Sequence, residues 1–210
     1  MRSLVLVIAV SQGGCFLIPH DDRVRCPTDR SVTLGNQDDV LGFAGCKRAS
    51  GVTVRTGATI DLAPLHELTE ITGDLRIGPT VGIDHILLND LRRVEGTIYV
   101  GNNGSLSGLF LPRLEQAGRI EIEDNFALTT ISMPRLEAIA GAFVADDNHG
   151  LELIVLSSLV AAKQLVITNH PRLELLQVDR LRTAELVRIE NAPKLPPELV
   201  EKLRAKPSVP

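Results

Sequence analysis

LPRLEQAGRIEIEDN, Leu111 to Asn125, returns as MPRLEAIAGAFVADDN, Met133 to Asn148, with one residue inserted at the turn. Self-similarity at a fixed period marks a stack of repeated units. Working outward from this pair, apolar anchors fall at Val54, Ile77, Val100, Ile122, Ala145, Ile167 and Ile189, at spacings of 23, 23, 22, 23, 22 and 22. Six residues after each anchor comes Ile60, Ile83, Leu106, Leu128, Leu151, Leu173 or Leu195. In the first six units the frame continues with Ala63, Ile86, Leu109, Ile131, Ile154 and Leu176, then with Leu65, Leu88, Leu111, Met133, Leu156 and Val178. Leu68, Leu91, Leu114, Leu136, Leu159 and Leu181 follow, and last Ile71, Val94, Ala117, Ile139, Ala162 and Ala184. Chance does not hold such a register over six units.

Within a unit the local period is two, as in RIEIE, TIYVG and QLVIT, so the pieces are short half-buried strands. Gly73, Gly96, Gly118 and Gly141 close successive units, where a turn needs positive φ or a close backbone approach. One unit cannot bury its own apolar residues; stacking coils about 4.8 Å apart makes one continuous core. The prediction is an all-β solenoid, a β-helix of about 22-residue coils over 51–195. Only 6 of 210 residues are aromatic, which suits a narrow core of Leu, Ile, Val and Ala.

Open ends of a strand stack need covers. NQDDVLGFAGC, Asn36 to Cys46, predicts a short helix with Asn36 as N-cap, inside an N-terminal cap over 26–50. PPELVEKLRA predicts a closing helix over 197–205 that puts Leu199, Val200 and Leu203 on one face. The folded region is thus expected to run over 26–206.

Ahead of it, Met1 and Arg2 precede the apolar run Leu4–Val10, too short to span a bilayer, and then small residues. This reads as a signal peptide over 1–14. QGGC, ending at Cys15, resembles a bacterial lipoprotein signal, which implies lipidation of Cys15 and a tether over 15–25. Cleavage after Ser11 is the alternative. Three cysteines leave one over after any internal pair. Cys26 and Cys46 bracket 20 residues and are expected to form a disulfide in an oxidising compartment, with Cys15 the odd one. Three reduced thiols in a cytosolic chain are the other possibility.

Cys26, the strand SVTL, the short helix ending at Cys46, ITGDLRI, VEGTIYVGNN and the LPRLE and MPRLE turns together resemble the receptor L-domain family. These are the β-helical modules of insulin- and epidermal-growth-factor-type receptor ectodomains and their bacterial relatives. The resemblance covers Cys26 to Lys194 and implies a right-handed, single-stranded β-helix with a non-enzymatic binding role.

Formal charge is −4, with no basic stripe to attract nucleic acid. No phosphate loop, hydrolase elbow or paired-cysteine zinc motif is present in the sequence. Asn102, Asp124, Asp147, Asn169 and Asn191 recur two residues after their anchors and read as turn chemistry rather than ligands. His149 and His170 occupy nearly equivalent places and read as solvated turn histidines; no metal and no cofactor is expected. One outward face should display Arg76, Tyr99, Glu121, Val144, Val166 and Arg188, and the other Leu87, Phe110, Ser132, Val155 and Gln177. Tyr99, Leu87, Phe110, Val155, Val144 and Val166 are the expected binding surface, since exposed apolar patches mark protein partners. A second outward row, Arg113, Arg135 and Arg180 beside Glu115 and Glu137, reads as a solvated charge ladder. The expectation is an exported, membrane-anchored, monomeric envelope lipoprotein that binds or scaffolds an envelope protein. It is periplasmic if Cys15 is not lipidated. The alternative is a surface β-helix enzyme acting on polysaccharide.

Overall fold

A computed structural model describes residues 26–205. The expected signal peptide over 1–14, Cys15, the expected tether over 15–25 and residue 206 lie outside the described residues. Alternating apolar residues produce fifteen strands, in chain order β1 Ser31–Leu34, β2 Arg48–Ala49, β3 Gly51–Thr56, β4 Glu70–Ile71, β5 Leu75–Thr80, β6 His85–Leu87, β7 Arg93–Gly101 and β8 Gly108–Phe110. They continue as β9 Gln116–Glu123, β10 Thr130–Ser132, β11 Ala138–Asp146, β12 Leu153–Val155, β13 Ala161–Thr168, β14 Leu175–Gln177 and β15 Thr183–Glu190. Among the described residues there are also two α-helices, α1 Gln37–Gly42 and α2 Pro197–Arg204, and one 3-10 helix. Among the described residues no helix is long and apolar enough to cross a membrane.

The strands stack in parallel as two sheets of a solenoid. The first runs β1-β3-β5-β7-β9-β11-β13-β15, with β2 and β4 joined beside it; the second runs β6-β8-β10-β12-β14. The anchors pair directly with one another: Val54 with Ile77, Ile77 with Val100, Val100 with Ile122, and onward through Ala145 and Ile167 to Ile189. The second sheet likewise aligns Ile86, Leu109, Ile131, Ile154 and Leu176. One-for-one pairing of apolar positions closes a single core along the stack.

Every residue of the sequence frame is buried except Ala63, which is exposed while Leu62 enters the core. Here a 3-10 helix, Ala63–Glu67, replaces the second-sheet strand of the first coil. Pro64 has no N–H to give a ladder, which disfavours a strand at this point. Of the two reasons given for the repeated glycines, close backbone approach holds and positive φ does not. Gly96 and Gly118 lie inside β7 and β9, where each strand bends from one side of the solenoid into the first sheet, and their φ is not positive. A Cβ on Gly118 would meet the carbonyl oxygens of Glu95 and Gly96, so close approach between coils is what requires glycine there.

At the N-terminal end the cap adds a rung of its own, because β1 pairs with β3 from Ser31↔Gly51 to Leu34↔Val54. Helix α1 starts with a capping box: Asn36 Oδ1 accepts from Asp39 N at 3.0 Å, and Asp39 Oδ2 accepts from Asn36 N at 3.2 Å. The helix buries Val40, and Cys46 joins Cys26 in a disulfide with a Cα–Cα distance of 5.4 Å. At the other end α2 buries Leu203, and Arg204 Nη2 donates to the Ile189 carbonyl at 2.7 Å, satisfying part of the open edge of β15.

Candidate functional site

The outward faces follow from the register. Across the first sheet Arg76, Tyr99, Glu121, Val144, Val166 and Arg188 are direct neighbours, coil to coil. Tyr99, Val144 and Val166 are half-buried. The Tyr99 ring lies over Gly101, where any Cβ would collide with it, and the Arg76 guanidinium sits 5.8 Å from the ring centroid. Burial pushes the Tyr99 phenol above its usual range, and the hydrogen bond and charge of Glu123 add to this, against a weaker opposing contact from Asn102. Arg119 pairs with Glu121 at 2.6 Å and Arg188 with Glu190 at 2.8 Å. Two coils separate Glu121 from Arg188, so these groups do not meet at one bond.

On the second sheet Leu87, Phe110, Ser132, Val155 and Gln177 form one row. Leu87 is 44% exposed, while Phe110 and Val155 are half-buried. Phe110 turns back over Gly108 and stacks on His85, with centroids 6.2 Å apart. Its neighbour row adds the half-buried Leu153 and Leu175, exposed at 48%. This face is therefore apolar over several coils, with Ser132 and Thr130 in the middle. Phe126, at 63% exposed and stacked on His149 at 5.5 Å, lies apart at the turn and was not among the sequence candidates.

The charge ladder is partly paired across coils. Arg92 reaches Glu115 at 2.9 Å and Arg113 reaches Asp90 at 2.5 Å, all of them solvated enough that each pair contributes little. A furrow of about 500 Å³ follows the bend of β7, β9 and β11 and is lined in part by Ala138, Ala140 and Ala161. Its one basic group, Arg93, is held by Glu95 at 3.2 Å and Gln116 at 3.0 Å.

The turn column resolves into two parts. Asn102, Asp124, Asp147, Asn169 and Asn191 take positive φ of 58, 56, 51, 64 and 53°. Asn and Asp tolerate this left-handed conformation, and a chain reversal there repeats in five successive coils. The residue after each of the first four turns inward. Asn103, Asn125 and Asn148 are buried, and their amides run through the turn as a polar spine. Thr80 Oγ1 donates to Asn103 Oδ1 at 2.8 Å; Asn103 Nδ2 donates to Asn125 Oδ1 at 2.9 Å; Asn125 Nδ2 donates to Asn148 Oδ1 at 3.0 Å. Each Asn also donates to a carbonyl of the preceding coil, those of Ile77, Val100 and Ile122. The repetition of Asn at 103, 125 and 148 is the sequence signal of this spine.

His170 takes the next rung and is fully buried, which corrects the reading of both histidines as solvated; His149 alone is exposed. The His170 Nδ1 donates to the Asn148 carbonyl at 3.1 Å. Among the described residues no group of three or more His, Cys, Asp or Glu is placed to hold a metal ion. Compared with family models, with curated proteins and with solved structures, the chain matches none.

Proposed function

We propose that the protein is an exported cell-envelope lipoprotein, anchored through Cys15, whose solenoid is a non-catalytic binding or scaffold module of the receptor L-domain type. The observation that carries this reading is the apolar outer row of the second sheet, Leu87, Phe110 and Val155, flanked by Leu153 and Leu175. Parallel pairing fixes these side chains at strand spacing before any partner arrives, which lowers the ordering cost of association. The Cys26–Cys46 bond is in keeping with an oxidising compartment. Binding occurs by display: a rigid sheet presents apolar side chains to an envelope protein, and no bond is made or broken.

Two measurements test it. The intact mass of the mature protein from its native envelope should start at Cys15 with acyl mass and gain two protons on reduction. A photo-crosslinker at Ser132 should capture one saturable envelope partner, and Leu87→Lys with Val155→Lys should abolish the capture. Retention of Met1, or capture unchanged by the two lysines, overturns the proposal.

A further inference from the structure

We propose that His170 makes the C-terminal end of the solenoid acid-sensitive: protonation of its imidazole loosens the last coil, with β15, and the closing helix α2. This goes beyond the binding role and does not depend on it.

The spine supplies the geometry. At the rungs before it stand Asn103, Asn125 and Asn148, amides that are neutral at every pH and carry both donors and an acceptor. His170 stands in the same column one coil further on and is fully buried. A carbonyl only accepts, so the 3.1 Å contact with Asn148 O puts the ring proton on Nδ1 and a lone pair on Nε2. Nε2 is buried and forms no hydrogen bond of normal geometry with a described residue. A second proton therefore places a cation where water does not reach.

The charged groups that bear on the ring are Asp146 and Asp147, both on the preceding coil. Asp146 Oδ1 is already taken by the Thr168 hydroxyl and by Asn169 Nδ2. The following coil faces it with Asn191, whose carbonyl accepts from His170 N at 3.0 Å, and with Ala192 at the next rung; neither titrates. Glu190, at the end of β15, is held by Arg188. Burial lowers the His170 pKa, and the Asn148 and Ala145 carbonyls and the two aspartates only partly oppose it. In an opened chain a histidine has a pKa of about 6.5. Below that value the opened state binds more protons than the closed one, so stability is complete above it and falls as pH drops through the lower folded value.

The loss is local because coils of a solenoid hold only to their neighbours. Beyond His170 lies a single further rung, and β15 pairs on one side only, with β13. Opening there uncovers the edge of β13 and the buried Leu173, Leu176 and Leu181.

The test is hydrogen exchange on the full oxidised chain between about pH 7.5 and about pH 5, corrected for intrinsic rates, beside an NMR titration of the His170 ring. In the wild type, amides of Thr183–Glu190 should lose protection with acid while those of Gln116–Glu123 keep theirs. His170→Asn, which restores the rung residue of the three preceding coils, should lose this acid response. Four results overturn the proposal: protection retained in the wild type, equal loss in the variant, loss uniform along the stack, or a ring that titrates at or above about 6.5. Should His170→Asn not fold, His170→Gln and the wild-type titration decide.

Discussion

Asn125→Ala removes the middle of the polar spine, and its cost can be worked from the partners it strands. Oδ1 accepts from Asn103 N at 3.2 Å and Asn103 Nδ2 at 2.9 Å; Nδ2 donates to the carbonyls of Val100 at 3.0 Å and Glu123 at 2.9 Å and to Asn148 Oδ1. Asn148 Oδ1 keeps its bond from Asn125 N and Asn103 Nδ2 keeps the Ile77 carbonyl, but the Asn103 backbone N–H and the second Nδ2 hydrogen are left buried without their acceptor. At about 1–3 kcal/mol for each stranded group, the variant should lose about 4 kcal/mol. Domain stabilities are about 5–15 kcal/mol, so this is a large share. With a urea slope near 2 kcal/mol/M, the midpoint should fall by about 2 M. Urea unfolding of the oxidised chain at neutral pH, followed by far-UV circular dichroism, reads it directly. Asp124→Asn is the control, because Asn already holds the same positive φ at 102, 169 and 191. It should stay within about 0.5 kcal/mol of the wild type. A cost of about 1 kcal/mol or less for Asn125→Ala, or an equal cost for the control, would refute the view that the spine is a stabilising network.

Tyr99 is the sole tyrosine in a chain without tryptophan, so absorbance at alkaline pH reports it alone. Its midpoint should lie above about 10, and Glu123→Gln should bring it down; a wild-type midpoint at or below that value contradicts the assigned surroundings. Because the folded value is the higher one, the stability from this group is present below the unfolded pKa and is lost as pH rises through the folded pKa. Asp147→Ala should cost about 1 kcal/mol through its positive φ, and Asp147→Gly much less, measured by calorimetry; equal losses would mean that the side chain rather than the backbone matters. Reduction of Cys26–Cys46 should remove about 2–4 kcal/mol from the urea unfolding free energy, and no change on reduction would show that the cap holds without the bond.

Much of the fold is written in the sequence because coil register depends on one local property, whether a side chain is apolar. The anchors Val54 to Ile189 pair with one another as their spacing predicts, and the apolar frame enters the core except at Ala63. There the arithmetic of the repeat met a proline, and Pro64 in a 3-10 turn shifted burial to Leu62. The capping box of Asn36 and the apolar face of Pro197–Arg204 are equally local signals, readable from a few residues. The outer rows were also legible, since period two assigns alternate residues to the two faces of a strand. How far Phe110 or Tyr99 stands out was not legible, because each ring lies back over a glycine two residues away.

What the sequence by itself determined is therefore the stack, its period, its two sheets and its covered ends. Only the tertiary structure decided the fate of the paired polar columns at the turn. Asn102 and Asn103, Asp124 and Asn125, Asp147 and Asn148, and Asn169 and His170 are neighbours of like polarity, and composition does not say which of each pair turns inward. The first reverses the chain at positive φ and stays at the surface or partly covered; the second is carried into the interior. There it meets carbonyls of Ile77, Val100 and Ile122 that lie 25 or 26 residues back along the chain. A buried polar group is stable only where such partners converge, and that convergence exists only once the coils are stacked.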